Sequence, residues 1–232
     1  MIQKAYNFTG IRTTAFIVAI MVLYGAAIWS PASAAENGVL LPNPIVDAPL
    51  TAKSSKQTAV VAGGCFWGVQ LVFQHVKGVK NATSGYSGGT AAAPQYEEVG
   101  TGKTGYAESV KITFDASQIS YGQLLKVFFS VAHDPTQINH QGPDFGTQYR
   151  SVIFYGDGEQ QHIAEAYIAQ LEQAKSFARP IVTQLVPLQK FYTAETYHQN
   201  YATLHPGDRY ILINDAPKLK DLRQELPDLY KK

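Results

Sequence analysis

The sequence is poor in cysteine and has no excess of charge of either sign. Cysteine occurs once among the 232 residues, as Cys65, so the chain forms no internal disulfide and no zinc or iron–sulfur site built from several cysteines. Nineteen basic residues stand against 18 acidic ones, with no block of like charge. This balance gives no reason to expect nucleic acid or an anionic lipid surface as a partner. Internal repeats and low-complexity tracts are also lacking, and the 45% hydrophobic content is typical of a globular protein.

The amino-terminal segment differs from the rest of the chain. Lys4 and Arg12 are its only charges before Glu36, an apolar run covers residues 15–29, and an Ala-x-Ala sequence ends at Ala34. These are the features of a secretory signal peptide. We therefore expect residues 1–34 to be a signal peptide cleaved after Ala34, and the protein to be exported to a periplasm or secreted. An uncleaved membrane anchor is the alternative, because the run lies near the lower length limit for spanning.

The next segment, residues 35–57, is rich in proline and serine and has few large apolar residues. It is predicted to be a linker. No second boundary follows, so residues 58–232 are predicted to form a single catalytic domain.

The folded part alternates short apolar runs with segments of helical periodicity. This pattern favours an α+β fold, a two-layer α/β sandwich of a mixed sheet with helices packed on it, with a ferredoxin-like plait core and long loops. Residues 81–103 are rich in glycine, serine and threonine and are predicted to be a loop of functional importance. The predicted strands are 58–62, 109–114, 150–155 and 181–186, and the predicted helices are 66–76, 121–132 and 159–173.

The single cysteine stands between a glycine pair and an aromatic pair, Phe66 and Trp67, at the predicted start of a helix. A thiolate is the nucleophilic form, and the free N–H groups of a helix amino terminus lower a thiol pKa. A lone cysteine is more often a buried and inert small hydrophobe. Here the glycine-flanked turn and the adjacent aromatic residues favour a reactive centre.

Residues 64–68, GCFWG, resemble the signature of peptide methionine sulfoxide reductase A. Further blocks are similar to the motifs of that family and follow in the same order, so the resemblance covers about residues 60–230. The blocks are residues 84–89, 94–99, 104–108, 133–136, 144–151 and 191–199.

The resemblance implies reduction of the S epimer of methionine sulfoxide, free or in oxidised proteins. Cys65 would attack the sulfoxide sulfur, and it is also the only thiol available. Glu108 would protonate the sulfoxide oxygen, which requires a poorly solvated site that raises its pKa. By itself Glu108 reads as an exposed carboxylate, and only the block around it assigns the role.

The resemblance assigns the remaining site residues as well. Tyr96 and Tyr149 would donate hydrogen bonds to the sulfoxide oxygen, and Asp144 would organise water and substrate. Phe66 and Trp67 would line a pocket for the S-methyl group.

The implied product on the enzyme is a sulfenic acid, which a second thiol must reduce. Many relatives carry a cysteine where this chain has Gly100, or further cysteines near the carboxyl terminus. The reductant is therefore expected to be external: a thioredoxin-like or glutaredoxin-like protein, or glutathione. No bound cofactor is expected, and the protein is expected to be a monomer.

Two further features bear on the site. Tyr106 stands where the family usually has histidine, with an effect on Glu108 that the sequence does not predict. His133, Asp134 and His140 have a spacing that fits no standard metal site, so no metal is predicted.

Two alternatives to a reductase remain open from the sequence. One is a different thiol enzyme, such as a peroxidase or a cysteine hydrolase, that uses the same nucleophile. The other is a catalytically inactive module that binds oxidised methionine through the aromatic pocket.

Overall fold

The computed structural model describes Met1, residues 38–90 and residues 93–232. The predicted signal peptide and the first residues of the predicted linker lie outside the described residues. Within the described ranges, no helix combines the length and the apolar character that are needed to cross a membrane.

A six-stranded mixed sheet forms one layer of the domain, in the order β7-β6-β1-β3-β2-β8. The inner four strands, β6-β1-β3-β2, pair antiparallel. One helix lies between β1 and β2 in the sequence and another between β3 and β6, which is the arrangement of the predicted ferredoxin-like plait. The strands are β1 (Lys56–Ala62), β2 (Val79–Ser87), β3 (Ala107–Asp115), β6 (Val152–Tyr155), β7 (Gln184–Pro187) and β8 (Phe191–Thr193), with the two-residue strands β4 (His140–Gln141) and β5 (Asp144–Phe145) forming a separate hairpin.

Helices pack on the sheet as predicted. The helix predicted over 121–132 is α-helical only to Val127, because it continues as a π-helical turn, Phe128–Ala132. Its start is fixed by a capping box between Ser120 and Gln123. The α-helices are α1 (Phe66–Gln74), α2 (Tyr96–Gly100), α3 (Tyr121–Val127), α4 (Gly158–Gln173), α5 (Tyr201–Leu204) and α6 (Ala216–Glu225).

The prediction that residues 81–103 form a loop is wrong for 81–87 and 96–100, although residues 88–90, 93–95 and 101–103 have no helix or strand. Strand β2 occupies residues 79–87 and helix α2 residues 96–100. Small residues are required in β2 because strand β8 lies very close: a Cβ atom at Gly85 would lie 2.2 Å from the Tyr192 carbonyl oxygen. The composition that suggests a loop therefore serves a closely packed interior strand.

The strand β1 is buried on both faces of the sheet. Ala59 and Val61 face the main core beneath α1, α3 and α4, whereas Val60 and Ala62 join a smaller cluster on the other face. This explains why the strand is a continuous apolar run instead of an alternating one.

The described part of the predicted linker, residues 38–51, packs along the helices, and we call it the strap. Leu41 is buried in the main core. The Gly38 N–H donates to Asp221 on α6 at 2.9 Å, and the carboxylate of Asp47 accepts the Gly122 N–H in the first turn of α3 at 2.8 Å. The boundary between linker and domain stays a prediction, although the strap itself is held by specific contacts.

The last residues of the chain return to the end of helix α1. The Lys77 N–H donates to the Leu229 carbonyl at 2.7 Å, and the Lys231 N–H donates to the His75 carbonyl at 2.8 Å. An isolated bridge pairs Val76 with Tyr230. Residues 229–231 thereby close the carboxyl end of α1.

Candidate active site

Helix α1 presents Cys65 at its amino terminus, where the residue is the N-cap. Gly64, at φ +85°, lets the chain turn from β1 into α1, and a Cβ at that position would lie 2.7 Å from the Gln141 side chain. The Gly64 N–H also donates to the Tyr149 carbonyl at 3.2 Å. The tight turn is the one that the glycine pattern predicts, and its hydrogen bond to Tyr149 ties it to the segment that carries that residue.

The pKa of the Cys65 thiol is raised, whereas the helix terminus predicted a lowered one. Burial is the largest cause, followed by the negative charges of Glu108 and Asp215. The Trp67 N–H hydrogen bond and the Lys218 cation oppose this rise without reversing it. Cys65 is therefore a protonated thiol at neutral pH in the resting protein.

Glu108 lies on β3 with its side chain 2% exposed, beside the first turn of α1. Its Oε2 accepts the Phe66 N–H at 3.0 Å. Burial raises the pKa of this carboxyl to about 8; the Phe66 hydrogen bond opposes the rise, and the nearby carboxyls of Asp144 and Asp215 add to it. Glu108 is therefore protonated at neutral pH, which is what an acid in this position requires.

The two predicted phenols converge on the same centre from different elements. Tyr96 begins α2, and Tyr149 ends the short 3-10 helix Thr147–Tyr149. Burial and then the charge of Glu108 raise the pKa of Tyr96 to about 12, and the same two causes raise the pKa of Tyr149. Both phenols therefore keep their protons and can donate hydrogen bonds.

Asp144 lies on the β4–β5 hairpin and accepts a short hydrogen bond from the Tyr210 hydroxyl. Burial raises the pKa of this carboxyl, while the Tyr210 hydrogen bond and the Lys218 cation lower it. Asp144 joins the same electrostatic group, because its charge acts on Glu108 and on both phenols.

Two aromatic residues follow the nucleophile. Phe66 is fully buried, and the Trp67 indole stacks on Tyr201 with ring centroids 3.9 Å apart. The Trp67 Nε1–H donates to Nδ1 of His198 at 3.2 Å, and the edge of the indole meets Tyr210 at 6.1 Å. The indole is therefore held in one orientation, as the wall of a small apolar pocket must be.

Sequence reasoning missed several residues that hold this group together. Glu195 accepts the Tyr86 hydroxyl at 2.8 Å and the Tyr96 N–H at 2.9 Å, which fixes the start of α2. Glu195 and His198 stand inside a recognised sequence block, so the block was the available signal. Tyr210 stands outside the quoted blocks, and no local pattern distinguishes it from the other tyrosines.

Three other residues singled out in the sequence lie as follows. The Tyr106 ring lies against Gly89 and meets the Tyr192 ring at a right angle, with centroids 5.8 Å apart. His133 hydrogen-bonds the Phe128 carbonyl at 3.0 Å and the Ser151 hydroxyl at 2.7 Å, and the His140 ring stacks on a phenylalanine. Across residues 38–90 and 93–232, no three His, Cys, Asp or Glu side chains are grouped so that they could hold a metal ion.

The model of the peptide methionine sulfoxide reductase family matches residues 57–229. The chain belongs to this family. It is 58% identical over 179 residues to peptide methionine sulfoxide reductase MsrA 2 of Mesorhizobium japonicum, an alignment that covers 77% of this chain and 92% of that protein. It is 49% identical over 175 residues to peptide methionine sulfoxide reductase MsrA of Pasteurella multocida, covering 75% and 99%.

Two solved structures share the fold. Methionine sulfoxide reductase A of Corynebacterium diphtheriae superposes with a TM-score of 0.56 at 32% identity, covering 76% of this chain and 91% of that one. Mxr1 of Saccharomyces cerevisiae in its reduced form gives a TM-score of 0.59 at 28% identity, covering 71% and 92%. The protein is therefore an MsrA-type reductase that converts methionine sulfoxide into methionine.

Proposed function

We propose that Cys65 is the nucleophile that reduces the S epimer of methionine sulfoxide, with Glu108 as the proton donor. The observation that carries this assignment is the position of Glu108: it is buried, its charge acts on the thiol, and its Oε2 accepts the first N–H of the helix that Cys65 caps at 3.0 Å. Burial raises the pKa of this carboxyl to about 8, so it holds a proton at neutral pH. Tyr96 and Tyr149 provide two phenolic donors for the sulfoxide oxygen, and Phe66 and Trp67 provide apolar surface for the S-methyl group.

The reductase step balances without any further reactant. The Cys65 sulfur attacks the sulfoxide sulfur while Glu108 protonates the oxygen, and the thiol proton passes to the Glu108 carboxylate. Transfer of the OH group to the Cys65 sulfur releases methionine and leaves a sulfenic acid. The Cys65 sulfur is oxidised by two electrons, and the substrate sulfur is reduced by two.

The sulfenic acid returns to the thiol through an external thiol, because the chain contains no second cysteine. The thiol of a thioredoxin-like or glutaredoxin-like protein, or of glutathione, would displace the sulfenic oxygen as water and form a mixed disulfide on Cys65. A second thiol would then displace Cys65 as the thiol. At Gly100, where many relatives have cysteine, a Cβ atom would meet no other atom within 4 Å. Packing therefore does not account for the missing cysteine.

The test is single-turnover reduction of an S-epimer sulfoxide by pre-reduced protein, followed by mass analysis of Cys65. About one methionine per enzyme, with Cys65 as sulfenic acid, is the expected result. Cys65→Ser should form none. If the folded wild type forms no methionine, or if Cys65→Ser remains active, the assignment of Cys65 is wrong.

We further propose that the protein is exported and that residues 1–34 are removed after Ala34. The basic start, the apolar run and the Ala-x-Ala sequence support this. Mass analysis of the protein from cell envelope fractions should give an amino terminus at Ala35. Recovery of the intact chain from the membrane fraction would favour the anchor instead.

A further inference from the structure

A buried ion pair lies behind the nucleophile's helix, outside every motif that the sequence singled out. Asp215 ends the π-helical turn Ile211–Asp215 and is fully buried. Its Oδ1 accepts from Nζ of Lys218 at 3.3 Å, and that side chain is 21% exposed. Among the described residues, the second carboxylate oxygen of Asp215 has no hydrogen-bond partner. Lys218 is therefore the cation that compensates this carboxylate.

The Asp215–Lys218 pair packs directly against the first turn of α1. Gly68 is three residues after Cys65, and a Cβ atom there would lie 2.0 Å from Asp215 Oδ1 and 2.8 Å from Lys218 Nζ. The last glycine of GCFWG therefore admits both charged groups to the amino-terminal turn. A side chain at this position would have to expel them.

The surroundings of Cys65 are otherwise acidic or neutral. The titratable groups whose charge interacts with the thiol lie on four parts of the chain. They are Glu108 on β3, Tyr96 on α2, Tyr149 on the 3-10 helix, and Tyr210, Asp215 and Lys218 on the carboxyl-terminal segment. Asp144 faces the same group from the β4–β5 hairpin, bonded to Tyr210. Lys218 supplies the positive charge in this set.

We infer that Lys218 is a positioning residue for the nucleophile: held by Asp215 against the first turn of α1, its charge favours the thiolate of Cys65 in an otherwise acidic site. The inference rests on the proposed role of Cys65. Without Lys218 the Asp215 carboxylate would oppose formation of the thiolate, because like charges in a poorly solvated site repel strongly.

The test is the pH profile of Cys65 alkylation by iodoacetamide in the full-length reduced protein. Cys65 is the only thiol, so the rate reports on it alone. Lys218→Met should alkylate about threefold to tenfold more slowly at pH 8, with its profile moved to higher pH. Lys218→Arg keeps the charge and should restore the profile. Lys220→Met removes an exposed cation from the same helix and should match the wild type.

Removal of the carboxylate gives the opposite result. Asp215→Asn should move the profile to lower pH, and the addition of Lys218→Met to Asp215→Asn should move it back to higher pH, because the cation acts on the thiol directly. If Lys218→Met lowers the melting temperature but leaves the profile where Lys220→Met has it, the pair is only structural. If Lys218→Met does not fold, a profile of Asp215→Asn that stays in place or moves upward overturns the inference.

The reductase assay keeps this test separate from the proposed function. An alkylation profile that moves as described, in a protein that reduces no sulfoxide, would contradict the proposed function and leave the role of Lys218 intact. An alkylation profile that does not move, in a protein that reduces the sulfoxide, would contradict the role of Lys218 and leave the proposed function intact.

Discussion

Two buried carboxyls on the same strand show opposite behaviour. Glu108 and Asp115 both lie on β3 and are 2% and 3% exposed, yet the pKa of Glu108 is raised to about 8 and the pKa of Asp115 is lowered. Within the part of the chain that the structure describes, Glu108 accepts one N–H, from Phe66. Asp115 accepts donors from Ser54 and Ser117, among others, and lies 3.5 Å from Nζ of Lys80.

The difference shows that burial alone does not decide the charge of a carboxyl. Hydrogen bonds from Ser117 and Ser54 are the largest causes of the lowered pKa of Asp115, and they outweigh its burial. At Glu108 one donor does not offset burial, and neighbouring carboxyls add to the rise. Strand β3 thus carries two different carboxyls. Asp115, at its end, is an anion whose hydrogen bonds stabilise the fold, and Glu108, near its start, keeps its proton at neutral pH.

The largest effect on the reductase rate is expected from a substitution that removes the acid proton of Glu108. Glu108→Gln cannot donate it, so the single-turnover reductase rate should fall about 10²-fold or more. The wild-type rate should also decline as the pH rises through about 8, because the acid form disappears, and the variant should lose this decline. Stopped-flow rates from pH 6 to pH 10 measure both. Equal rates for the two proteins would remove Glu108 from the mechanism.

Glu108→Gln should also change the free energy of unfolding, by a smaller amount and in the favourable direction. Between about pH 4 and about pH 8 the unfolded chain releases a proton that folded Glu108 keeps, so wild-type stability falls over this window relative to Glu108→Gln. Urea unfolding of both proteins at a series of pH values should show the gap widening up to about pH 8 and then staying constant. A gap that narrows with pH would mean that Glu108 is ionised in the fold.

Replacement of Asp115, at the other end of β3, should change stability in the opposite direction and lower it. Asp115→Asn loses acceptor capacity and charge, so the urea midpoint at pH 7 should fall, with the reductase rate of the folded protein unchanged. Because the pKa of Asp115 is lowered, its contribution is present above the ordinary pKa of about 4 and disappears as the pH falls toward the lowered value. The two proteins should therefore converge in acid. A difference that grows in acid would contradict the assignment.

Substitution of the two phenols tests whether the reaction needs hydrogen-bond donors besides Glu108. Tyr96→Phe should lower the reductase rate about tenfold, since Tyr149 still donates to the oxygen, and the double variant should lose about 10²-fold. The decline near pH 8 should remain in the single variant, because burial sets the pKa of Glu108. A decline that moves by a full pH unit would show that Tyr96 acts on Glu108 and not on the substrate.

The smallest effect is expected from the removal of one hydrogen-bond donor to Asp115. Ser54→Ala deletes a 2.8 Å hydrogen bond to Asp115 but leaves the bonds from Ser55, Ser117 and Gln118. The urea midpoint should fall by less than in Asp115→Asn, with no change in reductase rate. A loss as large as that of Asp115→Asn would mean that Ser54 acts by holding the chain before β1.

Local sequence patterns were sufficient for the parts of the site that depend on neighbours in the chain. The glycine pair and the apolar periodicity after it predict both the turn and the position of Cys65 at the start of α1, and the structure has them there. The alternation of strands and helices predicts a mixed sheet with helices packed on it, and the structure has this architecture. The resemblance named Cys65 and six other site residues. In the structure the charges of Cys65 and Glu108 act on each other and on Tyr96 and Tyr149, and the roles of these residues stay predictions.

What the patterns missed depends on contacts between distant parts of the chain. The raised pKa of Cys65 comes from burial and from Glu108 and Asp215, which are far away in the sequence. The composition of strand β2 indicates a loop, because Gly85 is required by the close approach of Tyr192, which no local stretch of sequence contains. Asp215 and Lys218 carry no motif, since their meaning lies in their contact with Gly68.

The return of residues 229–231 to the end of α1 links parts of the chain that are far apart in the sequence. Residues 229–231 are hydrogen-bonded to His75 and Lys77, and Gly38 is hydrogen-bonded to Asp221. Contacts of this kind close long loops, and they slow folding because the entropy of loop closure is lost before the contacts form. Helix α1 therefore gains the contacts at its carboxyl end only when segments that are far apart in the sequence have met.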